Sequence, residues 1–237
     1  MSVFLGMPKP PREPRLLRGV PHGAVLAFAP HPDDEIAGPG GALCLHRQQG
    51  DPVRVVVSTD GIAGDPDGRY DRATYAQRRR DESRAGLAIL GVHDVEFWGY
   101  PDNCMLSTSD LELGLERARA SLAAARPQIV YLPWAQEGHP DHHALHHVVV
   151  QALLGADFRG LALGYEVWNA MVPDAVLDIT AVASHKRPAL AAYATQNDYA
   201  DLAHCVFGLH AYRSIAHGKG RGFYEGYCVV RGTLPAD

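Results

Sequence analysis

Two short stretches carry side chains whose order could do metal chemistry. Residues 31–35 read His-Pro-Asp-Asp-Glu, and residues 139–143 read His-Pro-Asp-His-His. In the first, three adjacent acids repel one another unless something positive lies nearby. A divalent cation is the simplest such partner, with His31 and one aspartate as borderline-to-hard ligands. The second stretch adds imidazoles. Three protein ligands with one position open to water is the pattern of catalytic zinc, and His31, Asp34 and His142 would supply it. Blander readings stand beside this one. Acids also cap helix N-termini, where the dipole favours them. His143 and His147 are four apart, as are His142 and His146, so some of these rings could simply line a helix surface.

The elements that must position these groups are legible around them. Ala24–Ala29 is an apolar run that fits a buried strand. It ends at Pro30-His31-Pro32, which cannot continue a ladder; a Gly/Pro cluster and a helix from about Ala42 follow. Val53–Val57 and Val92–Trp98 predict two more strands, and Gln128–Leu132 a fourth. Helices are expected over Thr74–Leu90, Asp110–Ala125 and Pro140–Leu154, the last with proline at its first position. Alternating strands and helices of this length predict an α/β fold: a Rossmann-like three-layer sandwich around a mostly parallel sheet. In such sheets ligands bind outside the carboxyl ends of the strands, which is where both His/Asp stretches fall.

The last third is less regular. Leu161–Val167 and Ala175–Ile179 read as strands, Thr180–Thr195 as helical despite Pro188, and Phe223–Val230 as an edge strand. Residues 1–21 hold four prolines from Pro8 to Pro14 and are expected to form an irregular arm. Residues 22–237 are expected to form one domain.

Composition bounds the function. The 237 residues include 22 Lys+Arg against 27 Asp+Glu, a formal charge of -5, which argues against a nucleic-acid footprint. The four cysteines are widely spaced with no Cys-x-x-Cys, so they read as reduced thiols of a cytoplasmic protein. No apolar run is long enough to span a membrane.

These residues resemble a known family. His31-Pro32-Asp33-Asp34-Glu35 is similar to the HPDDE signature of the LmbE-like, or PIG-L-type, zinc de-N-acetylases, and His139-Pro140-Asp141-His142 to their HPDH motif. Weaker echoes are Thr59-Asp60-Gly61, Arg79-Arg80-Asp81-Glu82 with Leu90-Gly91, Tyr100-Pro101-Asp102, the Tyr193–Gln196 tract and Phe223-Tyr224-Glu225. Asn103-Cys104 and Gly226 depart from the family pattern.

The resemblance implies a hydrolase that removes an N-acetyl group from an N-acetylglucosamine-type conjugate, with Zn2+ held by His31, Asp34 and His142. It implies Asp33 as general base, and His139 as oxyanion stabiliser or proton donor to the leaving amine. Arg79 and Asp102 become candidate substrate contacts. Asp141 would orient His139 or a ligand imidazole, or only cap its helix. The implied partner is a small amino-sugar, with no nucleic acid, and a homo-oligomer is favoured.

Two alternatives remain. One is an amidase acting on a bulkier acyl group or a thiol conjugate. The other is a nucleotide-binding oxidoreductase using Gly38-Pro39-Gly40-Gly41. Against the latter, Leu43 stands where the GxGxxG pattern needs glycine, and Pro39 removes an amide that could face phosphate.

Overall fold

The computed structural model describes residues 13–103 and 108–235. Its strands are β1 (Arg15–Leu17), β2 (Val25–Ala29), β3 (Val53–Thr59), β4 (Asp94–Tyr100), β5 (Ile129–Pro133), β6 (Leu161–Tyr165), β7 (Ala175–Asp178) and β8 (Tyr224–Arg231). The helices are α1 (Asp34–Ala37), α2 (Gly40–Gln48), α3 (Arg72–Ile89), α4 (Thr108–Ala125), α5 (Pro140–Gly155), α6 (Ala183–Ala191), α7 (Ala194–Asn197), α8 (Leu202–Arg213) and α9 (Ile215–Gly218). The strands form one eight-stranded sheet in the order β1-β7-β8-β6-β5-β2-β3-β4.

The central strands are buried on both faces, as a parallel sheet between helical layers requires. Every residue of β2 is buried. Side chains alternate along a strand, so Val25, Ala27 and Ala29 enter the core on one face. Leu26 and Phe28 enter the other, against Ala118 and Leu122 of α4 and Leu145, Val148 and Val149 of α5. The three-layer α/β expectation is therefore met.

The strand order reverses at β2. From it the chain runs through β3 to β4 on one side, then returns to lay β5 and β6 on the other. The loops after β2 and β5 diverge at this switch point and leave a crevice between them. His31 lies in the first loop, and His139 ends the second.

Three sequence expectations are corrected. Phe223–Val230 is not an edge: β8 lies between β6 and β7 and is antiparallel to both. The edge is β1, formed inside the arm expected to be irregular; it pairs parallel with β7. Residues 1–12 of that arm, and Cys104, lie outside the described residues. Finally, Thr180–Thr195 is not one helix but a 3₁₀ turn (Thr180–Val182) followed by α6 and α7.

The glycines after His31 have a packing cause. A Cβ on Gly38 would stand 2.2 Å from the Tyr165 ring, so the turn between α1 and α2 can approach the sheet this closely only without a side chain. Tyr165 is fixed in turn by donating its hydroxyl to Phe28 O at 2.7 Å.

At the opposite edge of the sheet, Asp51 ties α2 to the chain entering β2. It accepts from His46 Nδ1 at 2.7 Å, Gln49 Nε2 at 2.5 Å and Gly23 N at 3.2 Å. Burial works against the charged form, but these donors hold the carboxyl at about 2. The unfolded value is about 3.9, so this stabilisation is complete above about pH 4 and is lost as pH falls through the folded value. Asp51→Asn is therefore expected to melt lower than the parent at pH 7. The gap should close as pH falls from about 4 toward 2. Thermal melts across that range check this, and a gap independent of pH would contradict it.

Candidate active site

The turn after β2 is held in an uncommon conformation. Asp33 has φ 138°, a region that side chains other than glycine rarely adopt. Two buried groups hold it there. Glu35 accepts from Asp33 N at 2.8 Å, and is itself bound by the Tyr193 hydroxyl at 2.6 Å and by the Ser83 hydroxyl. Arg79, only 2% exposed, donates to Pro32 O at 2.5 Å, Gly61 O at 3.1 Å and Asp33 Oδ2 at 3.3 Å. The third acid of the signature thus braces the turn from behind. Arg79, expected as a substrate contact, lines the cleft over this turn but is buried, with its donors directed at the backbone and at Asp33. Its neighbour Arg78 pairs with Glu82.

Asp34 is the point at which the two stretches meet. Its Oδ2 accepts from His31 N at 3.0 Å, lies 3.0 Å from His31 Nδ1 and 3.1 Å from His142 Nε2. The three rings of His31, His139 and His142 pack around one spot, with centroids 4.6 to 5.4 Å apart. Their ring nitrogens fall within 4.8 Å of one another. His142 is fully buried, yet neither ring nitrogen makes a well-directed hydrogen bond. A buried imidazole without such a bond, facing a carboxylate and a second imidazole, is what a metal ligand looks like before its ion is added. Two imidazoles and one carboxylate are a donor set that fits a zinc-type cation.

Around this centre the remaining predicted residues fall into place. Asp102, expected to touch substrate, has its side chain 5% exposed and directs Oδ1 at His31 Nε2, 3.1 Å away. Its other oxygen accepts from Ala63 N at 3.1 Å. Asp102 also lines the cleft over this centre. Asp141 approaches the same ring: Oδ2 lies 3.3 Å from His31 Nε2 and accepts from Asn103 N at 2.7 Å. Of the groups Asp141 was expected to face, its carboxylate lies beside the His31 imidazole. The cap of α5 is His139, whose Nδ1 accepts from Asp141 N at 3.3 Å.

Electrostatics separate the carboxylates. Burial pushes Asp33 up to about 7, against the opposing Arg79 guanidinium. Burial raises Asp34 too, but His142 and His31 hold it far below the ordinary range. Burial, then the neighbouring His31 and His142, lower His139. Two adjacent acids driven in opposite directions are a mark of a working site.

Two residues escaped the sequence reading. Glu137, with its side chain fully buried, lies 3.4 Å from His142 Nδ1. It also accepts from Trp134 Nε1 at 2.9 Å, Val167 N at 2.7 Å and Trp168 N at 3.0 Å. It joins the ligand ring to the loop after β6. Trp168 stands on that loop, 68% exposed, at the rim of a cleft of about 330 Å³ that His31, Asp33, Asp34 and His139 also line. An acid near the end of a strand was the only visible signal for Glu137; a lone tryptophan offered none.

The dinucleotide alternative is excluded at the N-terminus of α2. The amides of Gly41 and Ala42, which a phosphate would need, donate to Glu225 at 2.6 and 2.9 Å. Glu225 is further paired with the buried Lys186 at 2.6 Å. The anion-binding end of the helix is already occupied by the chain itself.

The family model described as PIG-L, GlcNAc-PI de-N-acetylase, matches residues 26–153. The chain belongs to the PIG-L family. This PIG-L protein is 29% identical over 185 residues to a Bacillus cereus protein named "Probable N-acetyl-alpha-D-glucosaminyl L-malate deacetylase 2", covering 73% of this chain and 84% of the relative. Among solved structures, N,N'-diacetylchitobiose deacetylase from Pyrococcus horikoshii superposes with a TM-score of 0.73 at 22% identity, over 87% of this chain and 83% of that one. GalB, the 4-carboxy-2-hydroxymuconate hydratase of Pseudomonas putida, superposes with a TM-score of 0.76 at 23% identity, over 90% and 98%. At such identities the likeness is one of fold. That fold carries more than one reaction, so this PIG-L protein's chemistry has to be argued from its site. Among the described residues, no helix is long and apolar enough to cross a membrane.

Proposed function

We propose that this chain is a zinc-dependent hydrolase that removes the N-acetyl group from an N-acetylglucosamine-type conjugate, residues 22–237 acting as one catalytic domain. The observation that carries the reading is the meeting of His31, Asp34 and His142 at one point, with Asp33 and His139 beside it. The deacetylase relative supports the amino-sugar substrate.

His31, Asp34 and His142 would hold the ion. Bound there, zinc would acidify a water molecule and polarise the amide carbonyl. Asp33 accepts a proton from the attacking water, as a positioned carboxylate beside the ion can. His139 works by its tautomer. With Nδ1 accepting from Asp141 N, the neutral ring carries its proton on Nε2. That N–H is free to donate to the oxyanion of the tetrahedral adduct. The C–N bond then breaks, and Asp33 returns the proton it took from water to the nitrogen, which departs as an amine. The products are acetate and the free amino sugar. Asp102 and Asp141 keep the His31 ring in one orientation throughout.

The test is a panel of N-acetylglucosamine conjugates assayed for amine and acetate release, with 4-carboxy-2-hydroxymuconate hydration as a parallel arm. Equimolar amine and acetate from at least one conjugate is expected. Hydration without any amide cleavage would overturn the reading, as would turnover that is unchanged after metal removal.

A further inference from the structure

The cleft over the His/Asp centre has a second cavity beside it. Trp168 lines both, and the second, of about 270 Å³, is bounded by Ala37, Val167, Ala170, Val206 and Leu209. An indole left 68% in water on the shared rim of two cavities is an apolar surface lacking a partner. Its backbone is not loose. The Trp168 and Val167 amides are both held by Glu137, and Asn169 Nδ2 donates to Gln136 O at 2.9 Å. The ring therefore stands on a pre-set platform, and a ligand that packs on it has little ordering left to do.

The charged groups of the second cavity are already committed. Glu166 is paired with Arg213 through Nε at 2.8 Å and Nη2 at 2.5 Å, and accepts from Met171 N at 2.7 Å. His210 Nε2 lies 2.8 Å from the Lys186 ammonium. Of the buried polar atoms described in this lining, only His210 Nδ1 lacks a partner, and burial keeps that ring neutral. The cavity thus offers an anionic group no cation and an apolar one several aliphatic side chains. Direction follows from the chemistry. The acetamido group must reach Asp33 and the ligand cluster in the floor of the cleft, so what meets Trp168 at the rim is the part of the substrate remote from that nitrogen.

We propose that Trp168 is a specificity-determining residue that stacks against a neutral, apolar substituent on the amino sugar, and that this substituent extends from the catalytic cleft into the adjoining cavity. The inference rests on the deacetylase reading and adds the class of aglycone. Stacking on a tryptophan face is worth enough to change specificity by about tenfold.

The experiment compares free N-acetylglucosamine with its phenyl and hexyl glycosides, using parent, Trp168→Phe and Trp168→Ala. The parent should favour the glycosides in kcat/KM. Trp168→Ala should lose about tenfold on the glycosides through KM, leave the free sugar nearly unchanged, and be largely rescued by Trp168→Phe. A second arm needs no catalysis: hexyl glucoside, which lacks the acetamido group, should perturb the tryptophan emission of the parent but not of Trp168→Phe. Equal losses on free sugar and glycosides would overturn the proposal, as would emission indifferent to hexyl glucoside. If emission responds while no acetamido sugar is cleaved, the apolar subsite stands and the deacetylase reading falls.

Discussion

Asp33→Asn is expected to lower amine release by about 100-fold or more while leaving metal content unchanged. A positioned general base contributes about 10²–10⁴ to such a reaction, and asparagine cannot take a proton from water. The substitution is isosteric, so it adds no steric demand to the turn at φ 138°. Glu35 still holds the Asp33 amide, and Arg79 still binds the carbonyls of Pro32 and Gly61. Steady-state amine release together with elemental analysis separates the two effects. Unchanged turnover in a zinc-loaded variant would remove Asp33 from the role of base.

His142→Ala is expected to abolish both metal binding and activity. The ring is fully buried and lies between Asp34 and Glu137, 3.1 and 3.4 Å away. Its loss takes away one of the three proposed ligands and leaves the buried Asp34 and Glu137 carboxylates without their imidazole neighbour. Leaving a buried polar group without its partner costs about 1–3 kcal/mol, so a lower melting temperature should accompany the lost metal. His142→Asn restores a polar side chain of moderate size and should recover part of the fold but not the zinc. Elemental analysis of both variants, with thermal melts alongside, provides the check. Full zinc occupancy in either would contradict the ligand assignment.

Much of this was readable before any coordinates, for local reasons. Apolar runs such as Val25–Ala29 and Val53–Val57 are strands in any context that covers both faces, and His31 and His142 follow strand ends that a parallel sheet collects on one edge. What could not be read depends on contacts between distant segments. β8 enters the middle of the sheet because β6 and β7 need a shared partner, and no pattern within Phe223–Val230 states that. β1 is three residues long beside a run of prolines, and exists only through its pairing with β7. Arg79 looks like any helical arginine until the glycine-bearing loop after β3 folds over it; a Cβ on Gly64 would lie 2.3 Å from its Nη1. Asp102 sits just past the end of β4, but its approach to His31 across 71 residues of chain has no local signal. Trp168 carries no motif, and its significance lies in the two cavities it separates.

The most direct measurement is a zinc titration of metal-depleted protein, followed simultaneously by bound metal and by amine release from an N-acetylglucosamine conjugate. One equivalent per chain should bind, and activity should rise in proportion and level off at that point, with His31→Ala and Asp34→Ala both failing to respond. Amine release that persists at full rate without metal, or zinc that binds equally well when Asp34 is gone, would contradict the convergence of the two His/Asp stretches on a single ion.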